Sequence, residues 1–539
     1  MPALVTPPAA GPPSTLTTGH LGGLAAELAA GRARDLLAPL VFQPPGTTRL
    51  AGAPPAVARA DLARALAVAN ASYGHPGAAE LARRLADPAT AVVVTGQQTG
   101  LFGGPLLALV KAAAATRWAE TLSAAGQPAV AVFWMATEDH DWLEVARATV
   151  LTAEGPLTLA LGDDPAPLAP VGLRTVGPHV AAALDELALR FPAAWFRAWV
   201  ERLSDWWRPE ARFGEAFART HVALLGARAP LFLDSMLPEL KAAQRPHLAA
   251  LVERRVEHAR ALEHREAELV RRGLPLQVTP QPGASPLFLV RDGQRRRVEW
   301  RGADRFALRG LEGEHPLEQL RATIEENPAA VSPGVLARPA LQDAVLGTAL
   351  FLTGPGEMAY LTQAAAAHEV LGLAPPTVAL RPHALVLDMR SREHLDGLGG
   401  TLDELLAHPE ALAARLAQRG GGGFVGAARA EIETRLEGLR APAAGLDPGL
   451  ERAWERTRES VLRALEAFAH KVDAAAARRD ETAAHRLAQL SQLVRPGGRV
   501  QERELAAAWF AGRWGETFGA RLADQLDLDA RRLSLVDPG

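Results

Sequence analysis

Between Ala91 and Ala136 the sequence leaves little freedom of fold. Ala91-Val92-Val93-Val94 is a short, β-branched, continuously apolar run, as expected of a strand buried on both faces. Thr95-Gly96-Gln97-Gln98-Thr99-Gly100-Leu101-Phe102-Gly103-Gly104-Pro105 follows as a glycine-rich loop. Pro105 occupies the first position of a predicted helix, an Ala/Leu-rich stretch running to Gly126, and a second apolar run covers Ala129 to Ala136. This order is a β-loop-α-β unit, whose strands should be parallel and whose crossover should be right-handed. A second unit lies far downstream: strand Thr348–Leu352, turn Thr353–Glu357, helix Met358–Leu371 closed by Gly372, and strand Thr377–Leu380. One sheet is therefore predicted to draw its strands from distant parts of the chain.

The intervening sequence has a different texture. Residues 178 to 226 read as helical and carry Trp195, Trp199, Trp206 and Trp207, a candidate local core. Leu240 to Gly273 reads as one long charged helix, and Leu287 to Trp300 as a hairpin around Asp292-Gly293. Near the C-terminus, Ile432, Leu436 and Leu439, then Val461, Leu465, Phe468, Val472 and Ala475, then Leu487, Leu490 and Val494, follow coiled-coil spacing. An intramolecular bundle and a dimerisation surface both fit that spacing. The expected divisions are a sheet core over 1–150, core continuation with helical and small β insertions over 151–330, the rest of the core over 331–400, and a helical C-terminal domain over 401–539.

At 539 residues the chain is too long for a single core. A net charge of −3 favours neither a nucleic acid nor an anionic membrane as partner. No uninterrupted apolar run is long enough to suggest a membrane span. Met1 to Gly22, rich in Pro, Ala and Thr, lacks the pattern of a signal peptide and reads as a partly flexible lead-in, so a cytoplasmic protein is expected. With no cysteine, disulfides, thiolate metal sites and a cysteine nucleophile are excluded. Lysine occurs only at Lys111, Lys241 and Lys471.

In a parallel sheet, ligands bind outside the carboxyl ends of the strands. That edge should gather the loop after Val94, the acidic run Glu138-Asp139-His140-Asp141 after Ala136, and the turn Gly354-Pro355-Gly356-Glu357. The glycines allow close backbone approach to a ligand, and the helix N-terminus after them offers N–H groups to an anion. A packing role for the same glycines remains open. Gln97 and Gln98 add uncharged donors and acceptors. The acidic run suits Mg²⁺, a general base or an ammonium group, and equally a solvated surface; Trp134 and Trp142 beside it imply partial burial. Lys111 lies about two turns into the first helix. Arg338, Arg381 and His383 lie near the second unit, where arginines can clamp a carboxylate.

Thr95–Leu106 and Val132-Phe133-Trp134-Met135-Ala136-Thr137-Glu138-Asp139-His140-Asp141 closely resemble the bacillithiol biosynthesis family BshC. So do Arg338-Pro339 with Gln342-Asp343, Gly354-Pro355-Gly356-Glu357-Met358-Ala359-Tyr360, and Arg495-Pro496-Gly497-Gly498-Arg499-Val500-Gln501-Glu502-Arg503. The resemblance implies an α/β fold: a Rossmann-like parallel-sheet core with connecting-peptide insertions, and a C-terminal α-helical coiled coil that makes a homodimer. It implies a cysteine ligase adding L-cysteine to the amine of glucosaminyl-malate; because a free carboxylate is a poor acyl donor, ATP (or ADP) is the expected nucleotide, and the acidic run makes Mg²⁺ a candidate ion. In that setting Thr95, Gly96, Gly103, Gly104 and Lys111 are expected at the nucleotide. Gln97, Gln98, Thr99, Gly100, Arg338, Glu357, Tyr360 and Arg381 are expected at the substrates, and Glu138, Asp139, His140 and Asp141 at the chemistry, with His140 as base. Two other readings use the same residues: a metal-dependent hydrolase built on Glu138–His140, and a non-catalytic coiled-coil scaffold.

Overall fold

The computed structural model describes residues 23–37, 39–44, 49–50, 59–279, 281–419, 423–479 and 481–539. The lead-in Met1 to Gly22 lies outside them. Two compact units are present: residues 1–152, 157–386 and 502–539 form the first, and 153–156 with 387–501 the second.

The first unit is built on a six-stranded parallel sheet. Its elements in chain order are β1 (Leu40–Val41), β2 (Ala91–Gln97), α1 (Leu106–Ala124), β3 (Ala129–Met135), β4 (Leu231–Asp234), α2 (Pro238–Glu253), α3 (Arg338–Leu346), β5 (Thr348–Thr353), α4 (Pro355–Leu371) and β6 (Thr377–Leu380). The spatial order is β1-β6-β5-β2-β3-β4, with every pairing parallel. Both β-loop-α-β units are thus neighbours in one sheet, as the sequence predicts. β3, β5 and β6 are buried along their whole length, which explains why they read as unbroken apolar runs. α1 is buried on most of its circumference, in keeping with its alanine-rich sequence.

Several boundaries differ from the sequence reading. β2 continues through Thr95, Gly96 and Gln97, so those three residues are strand rather than loop. Pro105 is the residue before α1, not its first turn. The long charged helix is two, α2 and Arg255–Arg271, broken at Arg254. The Asp292-Gly293 hairpin is present, both residues at positive φ as a tight two-residue turn requires, and belongs to a five-stranded antiparallel sheet. That sheet packs on α2 through Leu248, Leu251, Leu287, Val298 and Phe306. Of the four tryptophans, Trp199 and Trp207 are buried, whereas Trp195 is exposed.

In the second unit, helices Gly423–Gly438 and Leu450–Arg479 run antiparallel, with the Trp454 indole donating to the Leu436 carbonyl at 2.8 Å and Arg458 paired with Glu433. Val461 and Leu465 are half-buried and Phe468 is exposed, while Leu487, Leu490 and Val494 are buried. The Ala475 side chain lies outside the described residues.

Of the C-terminal helical domain expected over 401–539, the part from Glu502 onward returns to group with the sheet unit. Strand Leu533–Val536 pairs in parallel with His383–Val386. Glu502 anchors the return: its carboxylate accepts from Arg381 Nη2 at 2.7 Å, His383 Nδ1 at 2.9 Å and the Ala384 amide at 3.0 Å. Burial opposes its charge, but Arg381 and His383 hold the carboxyl well below the usual range. The pair therefore stabilises the fold in full above the ordinary carboxylate pKa, and the stabilisation is lost as pH falls toward the depressed value. Glu502→Gln should cost about 3 kcal/mol at neutral pH by leaving Arg381 buried and uncompensated. Denaturant unfolding at pH 7 and at progressively lower pH checks this; the variant's deficit should shrink with acidification.

Candidate active site

A cavity of about 400 Å³ opens at the carboxyl edge of the sheet. β2 contributes Gly96 and Gln97, with Gln98 just beyond; β3 leads to Ala136, Glu138, Asp139 and Glu144. The turn after β5 supplies Gly354, Gly356 and Glu357, and Lys111, Arg295, Arg338, Tyr360, Arg381 and Arg503 complete most of the polar lining. The three strand ends expected to meet do meet here.

Lys111 ties them together. Its buried ammonium donates to the Gly96 carbonyl at 2.7 Å, Gln97 Oε1 at 3.0 Å and Glu357 Oε2 at 2.5 Å. Glu357 also accepts from the Gly354 amide at 2.7 Å, satisfying the N-cap N–H at the start of α4. Burial pushes the Lys111 ammonium below its usual range while Glu357 pulls it back up. Burial opposes the Glu357 charge, yet Lys111, the Gly354 N–H and Arg338 hold its carboxyl below the ordinary value.

On the β5 side, Arg338 donates to Tyr360 Oη at 2.8 Å and Gln342 Oε1 at 3.0 Å. Arg381 is fully buried and paired with Glu502, with its Nε left without a hydrogen-bond partner; Arg503 sits exposed at the rim. With the N-terminus of α4 this makes a cationic wall. On the β3 side, Glu138 accepts from buried Lys241 at 2.7 Å and its other oxygen, Oε1, is unpartnered. Asp139 accepts from Gln98 Nε2 at 2.8 Å and from Arg295 at 3.3 Å. Glu144, exposed at the cavity and held by Gln97 Nε2 at 3.2 Å, is pushed up to about 7 by partial desolvation and by Asp141 and Asp139.

Other predicted residues lie elsewhere. Thr95 is buried and bonds the Leu352 carbonyl, joining β2 to β5. Thr99, Gly100, Gly103 and Gly104 do not line the cavity. A Cβ on Gly100 would come within 2.8 Å of Gly104, and one on Gly103 within 3.0 Å of Thr220, so these glycines serve tight packing. Even Gly96, which does line the cavity, faces the Trp134 carbonyl with no room for a side chain. The α1 N-terminus is occupied as well: the Leu106 amide donates to the Leu505 carbonyl at 2.8 Å. The helix start that faces the cavity is that of α4. His140 and Asp141 line a separate depression with Asp164, and Asp141 caps the short helix Trp142–Val145. Burial lowers the His140 pKa. Among the described residues no group of three or more His, Asp or Glu side chains is arranged to hold a metal.

Family models match most of this chain. Residues 47–382 fit the N-terminal Rossmann-like domain of bacillithiol biosynthesis BshC, and residues 395–536 its C-terminal coiled-coil domain. The chain belongs to the BshC family. Relatives named "Putative cysteine ligase BshC" include one from Solibacter usitatus, 32% identical over 478 residues, covering 86% of this chain and 88% of its own. Another, from Thermus thermophilus, is 34% identical over 458 residues, covering 83% and 88%.

Two charged cavity residues of this BshC chain were not singled out in the sequence: Arg295, from the inserted hairpin, and Glu144, from the helix after the acidic run; Trp134 and Arg503 appeared there only within motifs, with no role at the site. Lys241, behind the cavity, was marked only by the scarcity of lysine. Its pair with Glu138 is almost wholly buried on both sides, so removing one partner is far costlier than removing both. Lys241→Met should destabilise by about 3–5 kcal/mol, and Lys241→Met with Glu138→Leu should recover most of that. Equilibrium urea unfolding of the single and double variants measures the difference.

Proposed function

We propose that this BshC chain is a cysteine ligase that joins the carboxyl group of L-cysteine to the amine of glucosaminyl-malate. The observation that carries this reading is the division of the cavity wall by charge. Arg338, Arg381, Arg503 and the start of α4, where Glu357 is paired with Lys111, line one side, and Glu138, Asp139 and Glu144, with Arg295 paired to Asp139 among them, line the other. The cationic side suits the two malyl carboxylates or a phosphate group. The acidic side suits an ammonium or an amine about to lose a proton. The curated relatives' printed names point to the same chemistry.

A free carboxylate is a poor acyl donor, so ATP is the second substrate in this reading and supplies the leaving group. The protein's part is to bind, orient and neutralise. Arg338 and the exposed Arg503 hold the malyl carboxylates, and Arg381, with its unpartnered Nε, faces the most buried anionic oxygen. Asp139 receives the cysteine ammonium in the gap between Gln98 and Arg295. The homodimer through the helical arm and a cytoplasmic setting belong to the same proposal.

The test is purified protein incubated with L-cysteine, ATP and glucosaminyl-malate, with product thiol read by mass spectrometry. ATP-dependent formation of the cysteinyl amide is expected; product without nucleotide, or none at all, contradicts the reading. In the same assay Arg503→Gln should raise KM for glucosaminyl-malate about tenfold, the loss of about 1.4 kcal/mol for one charge-assisted contact, and leave KM for cysteine unchanged.

A further inference from the structure

The cavity holds four carboxylates, and three of them are held by fixed cations. Glu357 is bound to Lys111, Glu138 to Lys241, and Asp139 to Arg295. A carboxylate in a tight ion pair is a weak proton acceptor, because taking a proton breaks the pair. Glu144 is different. The hydrogen bond its carboxylate receives comes from a neutral amide, Gln97 Nε2 at 3.2 Å. Gln97 is itself oriented from behind, since its Oε1 accepts from Lys111 at 3.0 Å. That contact fixes which end of the amide faces Glu144. From below, Asp141 caps the short helix Trp142–Val145 by accepting from the Glu144 backbone amide at 3.1 Å, which sets where the Glu144 side chain leaves the helix. His140, the other candidate, lines the adjoining depression, and its Nδ1 already faces the Arg295 guanidinium at 3.4 Å, which disfavours its taking a proton there.

We propose that Glu144 is the general base that takes the proton from the attacking amine, with Gln97 as its positioning residue. The inference rests on the ligase reading. In the step concerned, the amine nitrogen of glucosaminyl-malate forms a bond to the acyl carbon of cysteine, whose carboxyl has been activated by ATP as a mixed anhydride with phosphate. The C–O bond to phosphorus-bearing oxygen breaks, the electron pair leaves on that oxygen, and the nitrogen's surplus proton passes to the Glu144 carboxylate and then to solvent.

The charged groups acting on Glu144 support a base poised near neutrality. Partial desolvation, then Asp141 and Asp139 on its own segment, disfavour its charged form, while the Gln97 hydrogen bond and Lys111 on α1 favour it, leaving the carboxyl at about 7. A base is active when deprotonated, so kcat should rise with pH through that region. Glu144→Gln should lower kcat about 100-fold or more, in the range general-base removal produces. It should abolish the limb near pH 7 and keep Kd for cysteine and glucosaminyl-malate, by calorimetry, within threefold of wild type. Glu144→Asp should retain the limb at reduced kcat. Gln97→Leu should lower kcat and displace the limb toward a different pH. A Glu144→Gln kcat within threefold of wild type, or the same limb in that variant, overturns the assignment. So does a loss of substrate binding that matches the loss in rate, because that marks a structural role. Absence of turnover in the wild type overturns the ligase reading and the base with it, whereas active wild type with active Glu144→Gln overturns the base alone.

Discussion

The ammonium of Lys111 is the point on which the cavity depends. It is buried among three chain segments that are remote in sequence: the end of β2, its own helix α1, and the start of α4. A buried lysine without a partner would shed its proton or unfold its surroundings. Here Glu357 balances it, and the same Glu357 oxygen closes the first turn of α4 through the Gly354 amide. One ion pair thus fixes the Gln97 amide, the turn after β5 and the position of the helix start that faces the cavity. Arg338 reinforces the arrangement from α3, bonded to Tyr360 on α4.

A second constraint is closure by the C-terminal return. The segment that begins at Glu502 satisfies two groups that would otherwise be exposed or orphaned. Leu505 accepts from the first amide of α1, and Glu502 neutralises Arg381 at the end of β6. Between them lies Arg503, at the cavity rim. The helix start that faces the cavity is thereby that of α4 and not that of α1. A glycine-rich strand-to-helix turn is often read as a phosphate cradle. In this chain the turn at 99–104 is instead packed against Thr220 and His221, the latter bonding the Gly103 carbonyl at 2.9 Å.

These two features mark the limit of what the sequence made legible. The sheet was readable because fully buried parallel strands leave unbroken apolar runs, and the Asp292-Gly293 turn because its backbone conformation favours those residues. The meeting of three strand ends followed from the topology alone. What stayed hidden depends on partners far away in the chain. Nothing near Leu106 indicates that Leu505 will occupy its amide, and nothing near Glu138 points to Lys241. The glycines of the loop were visible, but whether a glycine makes room for a ligand or for a neighbouring carbonyl is decided by tertiary packing; at Gly96 the neighbour is Trp134. The acidic run was likewise visible as a group, yet consecutive residues point in different directions. Glu138 faces the cavity, Asp139 lies between it and the adjoining depression, and His140 and Asp141 line that depression.

Membership of the BshC family supports a ligase, and the proposed amide formation draws on the arrangement of charge in the cavity. The cationic and acidic sides lie on opposite flanks of β2, so a substrate carrying both carboxylates and an amine can span them. The most direct measurement is the thiol profile of a bacterium lacking its own BshC and complemented with this chain. Restored bacillithiol, with consumption of accumulated glucosaminyl-malate, is the predicted result. Persistent glucosaminyl-malate and no bacillithiol, despite folded protein in the cells, would contradict it.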